Sequence, residues 1–508
     1  MKTYLIGIDI GTSGTKTALF DEAGNVVASR TVEYPLYQPR SGWAEQDPDD
    51  WVKAAIEGLS AVASGIDAEC VRGIGLSGQM HGLVMLDSKG KLLRRSIIWC
   101  DQRTEAQCRE ITETLGSEKL IKITNSPALT GFTASKILWV RENEPEIYEK
   151  CRHILTPKDY VRYRLTGELA TDVSDASGVQ LFDIGARKWS DEMTSLLGID
   201  AGMLPCVYES CEVTGVLSED AANKTGLRRG IPVVGGAGDN EAAAVGCGVV
   251  SDGKAFATIG TSGVVFAHSE RVKFDPKGRI HGFCAAVPGE YHVMGVIQSA
   301  GLSLRRLRDN VCAAECEAAR RRGVDPYAIM DEEAEKSPVG SNGLIFLPYL
   351  MGERSPHLDP CARGGFIGLT AAHTRGDMIR SVLEGVIFAM RDSLSVFGEI
   401  GISPSALTLC GGGASSPLWR QIAADIFGCE VDIVKSGEGG ALGAAILAGV
   451  GAGVYGGVKE ACGEIIKPAR TYLPNEENRK RYDELYGIYD GLYGALRETN
   501  MRLAEFCG

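Results

Sequence analysis

Apolar residues near the start of the chain come in short runs separated by turn-forming clusters, a pattern that predicts a three-stranded meander over residues 4–30. Its strands are Tyr4-Leu5-Ile6-Gly7-Ile8-Asp9, Lys16-Thr17-Ala18-Leu19-Phe20 and Val26-Val27-Ala28, with a turn at Asp21 to Asn25 before the third. The period then changes. Trp51, Ala55, Ile56, Leu59 and Val62 share one stripe at helical spacing, predicting an amphipathic helix opened by Asp47-Pro48 and packed on a sheet. Leu83 to Asp87 reads as a further strand, the loop before it as a hairpin, and helices are expected from Trp99-Cys100-Asp101-Gln102-Arg103 to about residue 150. Ile231 to Val234 is a buried-type strand running into Gly235-Gly236-Ala237-Gly238-Asp239-Asn240, followed by a small-residue helix over Glu241 to Gly246.

The second half repeats the vocabulary. A strand at Ala255 to Thr258 and another at Val264 to Ala267 form a hairpin, and Met378 to Phe397 is a long helix. Ala406 to Cys410 is a strand leading to Gly411-Gly412-Gly413-Ala414-Ser415-Ser416, after which Pro417 opens a helix at its favoured first-turn position. Val431 to Val434 precedes Gly437-Glu438-Gly439-Gly440 and an alanine-rich helix. Asn475 to Leu503 is a charged helix with Tyr482, Leu485, Tyr489, Leu492 and Leu496 on one side, expected to cap the domain from outside.

One phrase occurs twice. Ile10-Gly11-Thr12-Ser13-Gly14 returns as Ile259-Gly260-Thr261-Ser262-Gly263, half a chain later, each copy between two strand-like runs. Glycine lets backbone N–H groups approach a ligand, and the Thr and Ser hydroxyls add donors, so each turn can wrap an anion. A single such turn reads as an ordinary hairpin, whereas an internal repeat marks architecture. Two copies imply two similar domains gripping one polyphosphate from opposite sides. A chain of 508 residues also exceeds the size at which one core usually splits, and the boundary falls at Gly248 to Lys254, giving domains 1–248 and 254–508.

A hydrophobic content of 44% with 23% charged residues is ordinary for a globular chain. The net charge of −13 argues against nucleic acid or an anionic membrane as partner, so a nucleotide must be held by local donors and a metal ion. The 15 cysteines are scattered without zinc-site spacing, which points to reduced thiols in a cytoplasmic enzyme. No signal peptide is visible. Gly439 to Val458 is uncharged, but its glycines suit a short helix and a loop better than a membrane span.

Two motifs are rejected. Gly73-Ile74-Gly75-Leu76-Ser77-Gly78 matches the dinucleotide fingerprint, yet a strand follows where that fingerprint needs a helix, which argues against a dehydrogenase. Lys16 follows Thr15 and not glycine, so the Walker pattern fails. Phosphoryl transfer needs a positioned phosphate, a metal and a carboxylate to take the proton of the attacking hydroxyl. Asp9, at a strand end before the first turn, suits magnesium through water, or else a structural Asx-turn. Asp239 at its small-residue turn suits a general base, or else a helix N-cap. Gly411 to Gly413 offers bare backbone to adenosine, or is a tight connection. Met80 and His81 lie on the same side of the first sheet as the phosphate turn.

With those residues in place, the chain resembles the FGGY family of carbohydrate kinases from Tyr4 to about Val458. Two long segments carry the likeness: Gly131-Phe132-Thr133-Ala134-Ser135-Lys136-Ile137-Leu138-Trp139-Val140-Arg141-Glu142-Asn143, and Gly364 to Leu369 continuing through Asp377-Met378 to Glu384. The resemblance implies an α/β fold of two actin-like, ribonuclease-H-like domains with an interdomain cleft that closes over sugar and nucleotide. Gly42-Trp43-Ala44-Glu45-Gln46-Asp47-Pro48 and Gly78-Gln79-Met80-His81-Gly82 look like the family's xylulose-phosphorylating branch. It implies ketose contacts at Met80, His81 and Asn240, and Asp239 as the proton acceptor. Asp9 would lie near magnesium and the phosphates. ATP contacts would come from Gly11, Thr12, Ser13, Thr15 and Lys16, from Gly260 and Thr261, and from Gly411, Gly412, Gly413, Ala414 and Ser415. The implied partners are Mg-ATP and a small ketose, with no nucleic acid and no membrane, and a homodimer is compatible. Kinases for other sugars or polyols, and an actin-like ATPase that phosphorylates nothing, are the rivals.

Overall fold

The computed structural model describes residues 2–434 and 439–507. The expected meander forms as β1 (Tyr4–Ile10), β2 (Gly14–Asp21) and β3 (Val26–Glu33), paired antiparallel in that order. Helix α1 (Pro48–Ala63) follows, and Asp47 caps it by accepting from the Asp49 amide. Trp51, Ala55, Leu59 and Val62 are buried as their spacing demands, while Ile56 is half-buried. Strand β4 (Val71–Gly78) runs parallel to β1, so the rejected fingerprint is strand throughout.

The chain then departs from the expected hairpin. Val84–Leu86 pairs with His153–Leu155 in a separate two-stranded sheet. The reason is occupancy: β4 already has β1 on one edge and, on the other, β6 (Pro232–Val234), itself paired to β5 (Val213–Val216). A short strand β7 (Ala237–Gly238) also runs parallel to the end of β4, and helix α2 (Asp239–Gly246) begins there.

The second sheet is the first one again. Strands β8 (Lys254–Ile259) and β9 (Gly263–Ser269) form the second hairpin, and β9 pairs antiparallel with β11 (Tyr291–Ile297), beyond which β10 (His281–Cys284) is added. On the other side of β8, after the long helix α3 (Arg375–Glu399), lies β12 (Ala406–Cys410), parallel to it. Helix α4 (Pro417–Phe427) leads to β13 (Glu430–Val434), parallel to β12. Helix α5 (Gly439–Gly451) follows, and β14 (Pro468–Tyr472) closes the sheet antiparallel to β13. Five strands of each sheet thus share one order and one set of pairing senses, and a sixth closes each sheet antiparallel, preceding the fifth in the chain in the first half (β5) and following it in the second (β14). Helix α6 (Glu476–Cys507) buries Tyr482 and Tyr489 against the second core, with Leu485, Leu492 and Leu496 packed beside them.

Helix α5 comes from the second half of the chain but lies on the first sheet and across α2. It gets that close because the contact is nearly all backbone: Gly7 of β1 and Gly75 of β4 are paired in register beneath Ala441 and Ala444. This is the uncharged stretch weighed above as a membrane span, and among the described residues no helix is long and apolar enough to cross a membrane. Gly437 and Glu438, read as part of the loop before it, lie outside the described residues.

Candidate active site

Strands β1, β4 and β7 run in the same direction, so their C-terminal ends open on one edge of the first sheet, where α/β proteins collect ligands. Asp9 stands at the end of β1, Met80 and His81 just past β4, and Asp239 just past β7. Chain positions far apart in sequence therefore share one rim.

The loop after β4 is held under strain. His81 has φ 68°, a left-handed conformation uncommon for a residue with a Cβ. Its carbonyl accepts from Lys136 Nζ at 2.7 Å and Thr133 Oγ1 at 3.1 Å, which keeps the backbone there. Lys136 also donates to the Gly131 carbonyl at 2.6 Å. The first family-like segment thus acts on the substrate loop from behind. The Gly178 carbonyl only accepts, so His81 Nδ1 is the donor of their 2.9 Å bond and Nε2 is left as an acceptor. Burial drives the imidazole pKa down to about 3, with nearby Lys136, His281 and Arg354 adding to the shift. His81 is therefore neutral at physiological pH. Trp99, exposed and given no site role by the sequence, donates from Nε1 to Thr12 Oγ1 at 2.9 Å and so ties this wall to the first turn.

Asp239 is not the helix cap. Gly238 holds that position and Asp239 is the first residue of α2, its Oδ1 accepting from the Asn240 amide at 2.9 Å and from Nδ2 at 3.0 Å. Burial, then the charge of Asp9, push its pKa up to about 7, against the smaller pull of the Asn240 bonds. A carboxylate poised there is matched to general-base work.

Behind this turn lies an ion cluster that sequence reasoning missed. Lys158 Nζ sits 2.6 Å from Asp159, 2.9 Å from Asp172 and 3.5 Å from Asp175, all fully buried. Asp172 accepts from Ser174 Oγ, and Ser174 Oγ accepts from the Gly238 amide at 3.0 Å. Lys158 also reaches the Gly235 carbonyl. The small residues before Asp239 are thereby fixed by a charged scaffold. Lys158 and Asp159 sit together in the chain, as do Asp172, Ser174 and Asp175, but no motif links the two groups.

The two turns share a sequence but not a length: Ile10 pairs across to Thr15 and Ile259 to Gly263, so the second is one residue tighter. The Gly11 amide donates to Gly14 O and the Gly260 amide to Ser262 O, each at 3.0 Å. In the first, Thr12 and Ser13 stay accessible, whereas Thr15 is buried within β2, 1% exposed, with its hydroxyl on Tyr34. Lys16 lies in β2 directly opposite Asp9. The second turn opens into a cavity of about 710 Å³, together with Gly412, Gly413, Ser415 and Trp419. Residues 411–415 do not open a helix directly: a single 3-10 turn intervenes before α4. Ala414 is buried there. A smaller cavity of about 340 Å³, beneath Gly411 and Ala414, reaches Gly439 at the start of α5. A Cβ on the adjacent Gly440 would lie 2.7 Å from Asp9 Oδ2, so the start of α5 joins this cavity to the Asp9 rim.

Among the described residues no group of three or more Asp, Glu, His or Cys side chains converges as a metal site. That suits magnesium carried by phosphates, which needs only one or two protein carboxylates. Asp9 is the carboxylate so placed, with Ser77 Oγ donating to its Oδ1 at 2.8 Å.

Models of the FGGY family of carbohydrate kinases match residues 4–246 with the N-terminal domain and 255–452 with the C-terminal domain. The chain belongs to the FGGY family. It is an ATP-dependent sugar kinase, and the FGGY likeness extends over whole chains. The xylulose kinase of Bacillus subtilis (strain 168) is 39% identical over 505 residues, 99% of each chain. The ligand-bound xylulose kinase of Lactobacillus acidophilus superposes with a TM-score of 0.92 at 29% identity, covering 99% of this chain and 100% of that one. The gluconate kinase of the same organism gives 0.91 at 29% identity, covering 98% of each. FGGY members named for different sugars thus share this backbone equally well.

Proposed function

We propose that this kinase phosphorylates D-xylulose at O5, with Asp239 as the general base. The O5 proton passes to Asp239, O5 forms the new bond to the γ-phosphorus, and the bond to the β-bridging oxygen breaks to release ADP. Met80, His81 and Asn240 hold the ketose, with His81 Nε2 accepting a hydroxyl proton. The backbone donors of the first turn, Gly11 to Ser13, and of the second, Gly260 and Thr261, hold the phosphates, with Lys16 beside them. Gly411 to Ser415 carries the adenosine. Asp9 would hold magnesium, which when bound would neutralise charge on the phosphates.

One observation carries the reading: the raised carboxyl of Asp239 shares a rim with the strained His81 loop, while Asp9 connects that rim to the nucleotide side. The xylulose kinase relatives supply the choice of sugar, and closure over both ligands excludes water as an acceptor. Free thiols at every described cysteine support a cytoplasmic setting. The test is a panel of D-xylulose, D-ribulose, L-fuculose, gluconate and glycerol with coupled ADP detection. Highest kcat/KM with D-xylulose, and a 5-phosphate by mass spectrometry, is expected. Preference for another acceptor overturns the sugar, and ADP release with no phosphorylated product overturns the kinase reading of the site.

A further inference from the structure

The second lobe also faces the sugar rim. Met80 and Phe132 of the first half pack in one cluster with Phe283 and Met294 of β10 and β11. Just beyond β11, the segment around Arg354 is pinned to that sheet: the Ser355 amide donates to Val296 O at 2.9 Å, and Glu353 Oε1 accepts from the Gln298 and Arg354 amides, each at 2.8 Å. A rigid backbone therefore aims the Arg354 side chain.

Its target is the wall of the ketose loop. Arg354 Nη2 lies 4.0 Å from the point where a Cβ on Gly131 would sit, and Gly131 is the residue whose carbonyl Lys136 grips together with that of His81. Its charge reaches both His81 and His281. Other arginines in protected positions are paired, Arg103 with Asp101 and Glu45, and Arg380 with Glu384. The Arg354 guanidinium makes no hydrogen bond or ion pair with any described residue. Glu353, the adjacent carboxyl, spends Oε1 on backbone amides and leaves Oε2 unpartnered, and burial raises its pKa to about 8, so it offers little countercharge. Five N–H donors thus lie against Gly131, within charge range of the neutral His81 imidazole.

We infer that Arg354 is a sugar-binding residue contributed by the second lobe, donating to hydroxyls of the same polyol that donates to His81. This rests on the sugar-kinase reading of the His81 rim and adds the opposing wall. A polyhydroxylated acceptor meets both demands at once, since each hydroxyl donates one hydrogen bond and accepts others. The bound sugar would bridge the lobes, so acceptor binding and cleft closure become one event. A two-carbon-shorter or deoxy acceptor lacking the hydroxyl that Arg354 reads would lose that bridge.

The experiment compares wild type with Arg354→Met and Arg354→Lys on D-xylulose, 1-deoxy-D-xylulose and ATP. Removing a charge-assisted bond to substrate should lower kcat/KM for D-xylulose by about tenfold to a hundredfold. The KM for ATP and the thermal shift with ADP should stay within about twofold, while the thermal shift with D-xylulose alone disappears. Lysine lacks the planar fork and should recover only part of the loss. If Arg354→Met does not melt cooperatively, Arg354→Lys decides: a kcat/KM within about twofold of wild type overturns the assignment. So does equal loss for ATP and sugar, which marks a structural role. Wild type that phosphorylates no ketose defeats the underlying reading instead, a result independent of the variants.

Discussion

Gly75 and Ala444 meet backbone to backbone: a Cβ on Gly75 would fall inside the carbonyl oxygen of Ala444. The same holds for Gly7 beneath Ala441. Helix α5 therefore sits on the first sheet with no side chain between, and it carries Gly440 to the carboxylate of Asp9. Gly75→Ala must lift the helix, since a backbone cannot rotate out of the way as a side chain can. The expected cost is about 2–3 kcal/mol, read as a fall of several degrees in Tm, with activity reduced through Asp9. Gly487→Ala in the exposed face of α6, where a Cβ meets open space, should instead stabilise by about 0.5–1 kcal/mol. Equal effects at the two sites would contradict the packing account.

If Asp239 is the general base, as proposed, it sets the acid limb of the pH profile. Only its ionised form accepts the hydroxyl proton, and its pKa lies near 7. Hence kcat/KM for the sugar should fall about tenfold per pH unit below that value. Asp239→Asn should cost about a thousandfold or more in kcat while leaving the ADP thermal shift intact.

Stability should move the other way. Because the folded pKa is raised above the ordinary 3.8, the native state holds a proton that the unfolded chain releases between about pH 4 and pH 7. The stabilisation this gives is complete below about pH 4 and is lost as pH rises through 7. Asp239→Asn removes that loss, so the variant should gain stability at pH 8, on the order of 1 kcal/mol or more, and little at pH 4. Thermal melts at the two pH values check the sign.

How much of this was legible in the chain depends on the range of the interaction. The repeated Gly-Thr-Ser-Gly turns and the 3.6-residue stripe on α1 are local, and sequence reveals them directly. The duplicated sheet follows from the repeat, because equal strand patterns bury equal faces. The His81 loop was misplaced as a hairpin, since nothing near it shows that β6 has taken the free edge of β4. The scaffold of Lys158 with Asp159, Asp172 and Asp175 was invisible for a related reason: charged residues ordinarily read as surface, and only the fold buries them together. Asp239 was ambiguous between cap and base because both roles use the same chemistry. Its place at the first position of α2, with Gly238 as the cap, removes the cap reading.

In the proposed reading Asp9 is the carboxylate that would meet magnesium, and it belongs to no cluster of metal-ligating side chains among the described residues. Asp9→Asn keeps the shape and the acceptor for Ser77 Oγ but removes the charge. Turnover should drop by about a hundredfold or more, with the magnesium concentration needed for half-maximal rate displaced upward. The same substitution withdraws one of the causes that raise the Asp239 pKa. The residual activity should therefore show its acid limb shifted to lower pH. A limb left unmoved would mean that the two carboxylates do not sense each other.

On the proposed reading Lys136 acts on sugar binding only by positioning His81. Its ammonium bonds the carbonyls of His81 and Gly131, and burial lowers its pKa to about 7. Lys136→Met leaves both carbonyls without that donor and frees the left-handed His81 backbone to relax. The KM for D-xylulose should rise about tenfold with the KM for ATP unchanged, the same pattern expected of His81→Ala. If the lysine acts only by positioning the histidine, the double variant should lose little more than either single one, an interaction of about 1 kcal/mol or more in the cycle. Full additivity would show that Lys136 has a separate effect on the acceptor, and unchanged sugar KM in both single variants would remove this loop from the binding site.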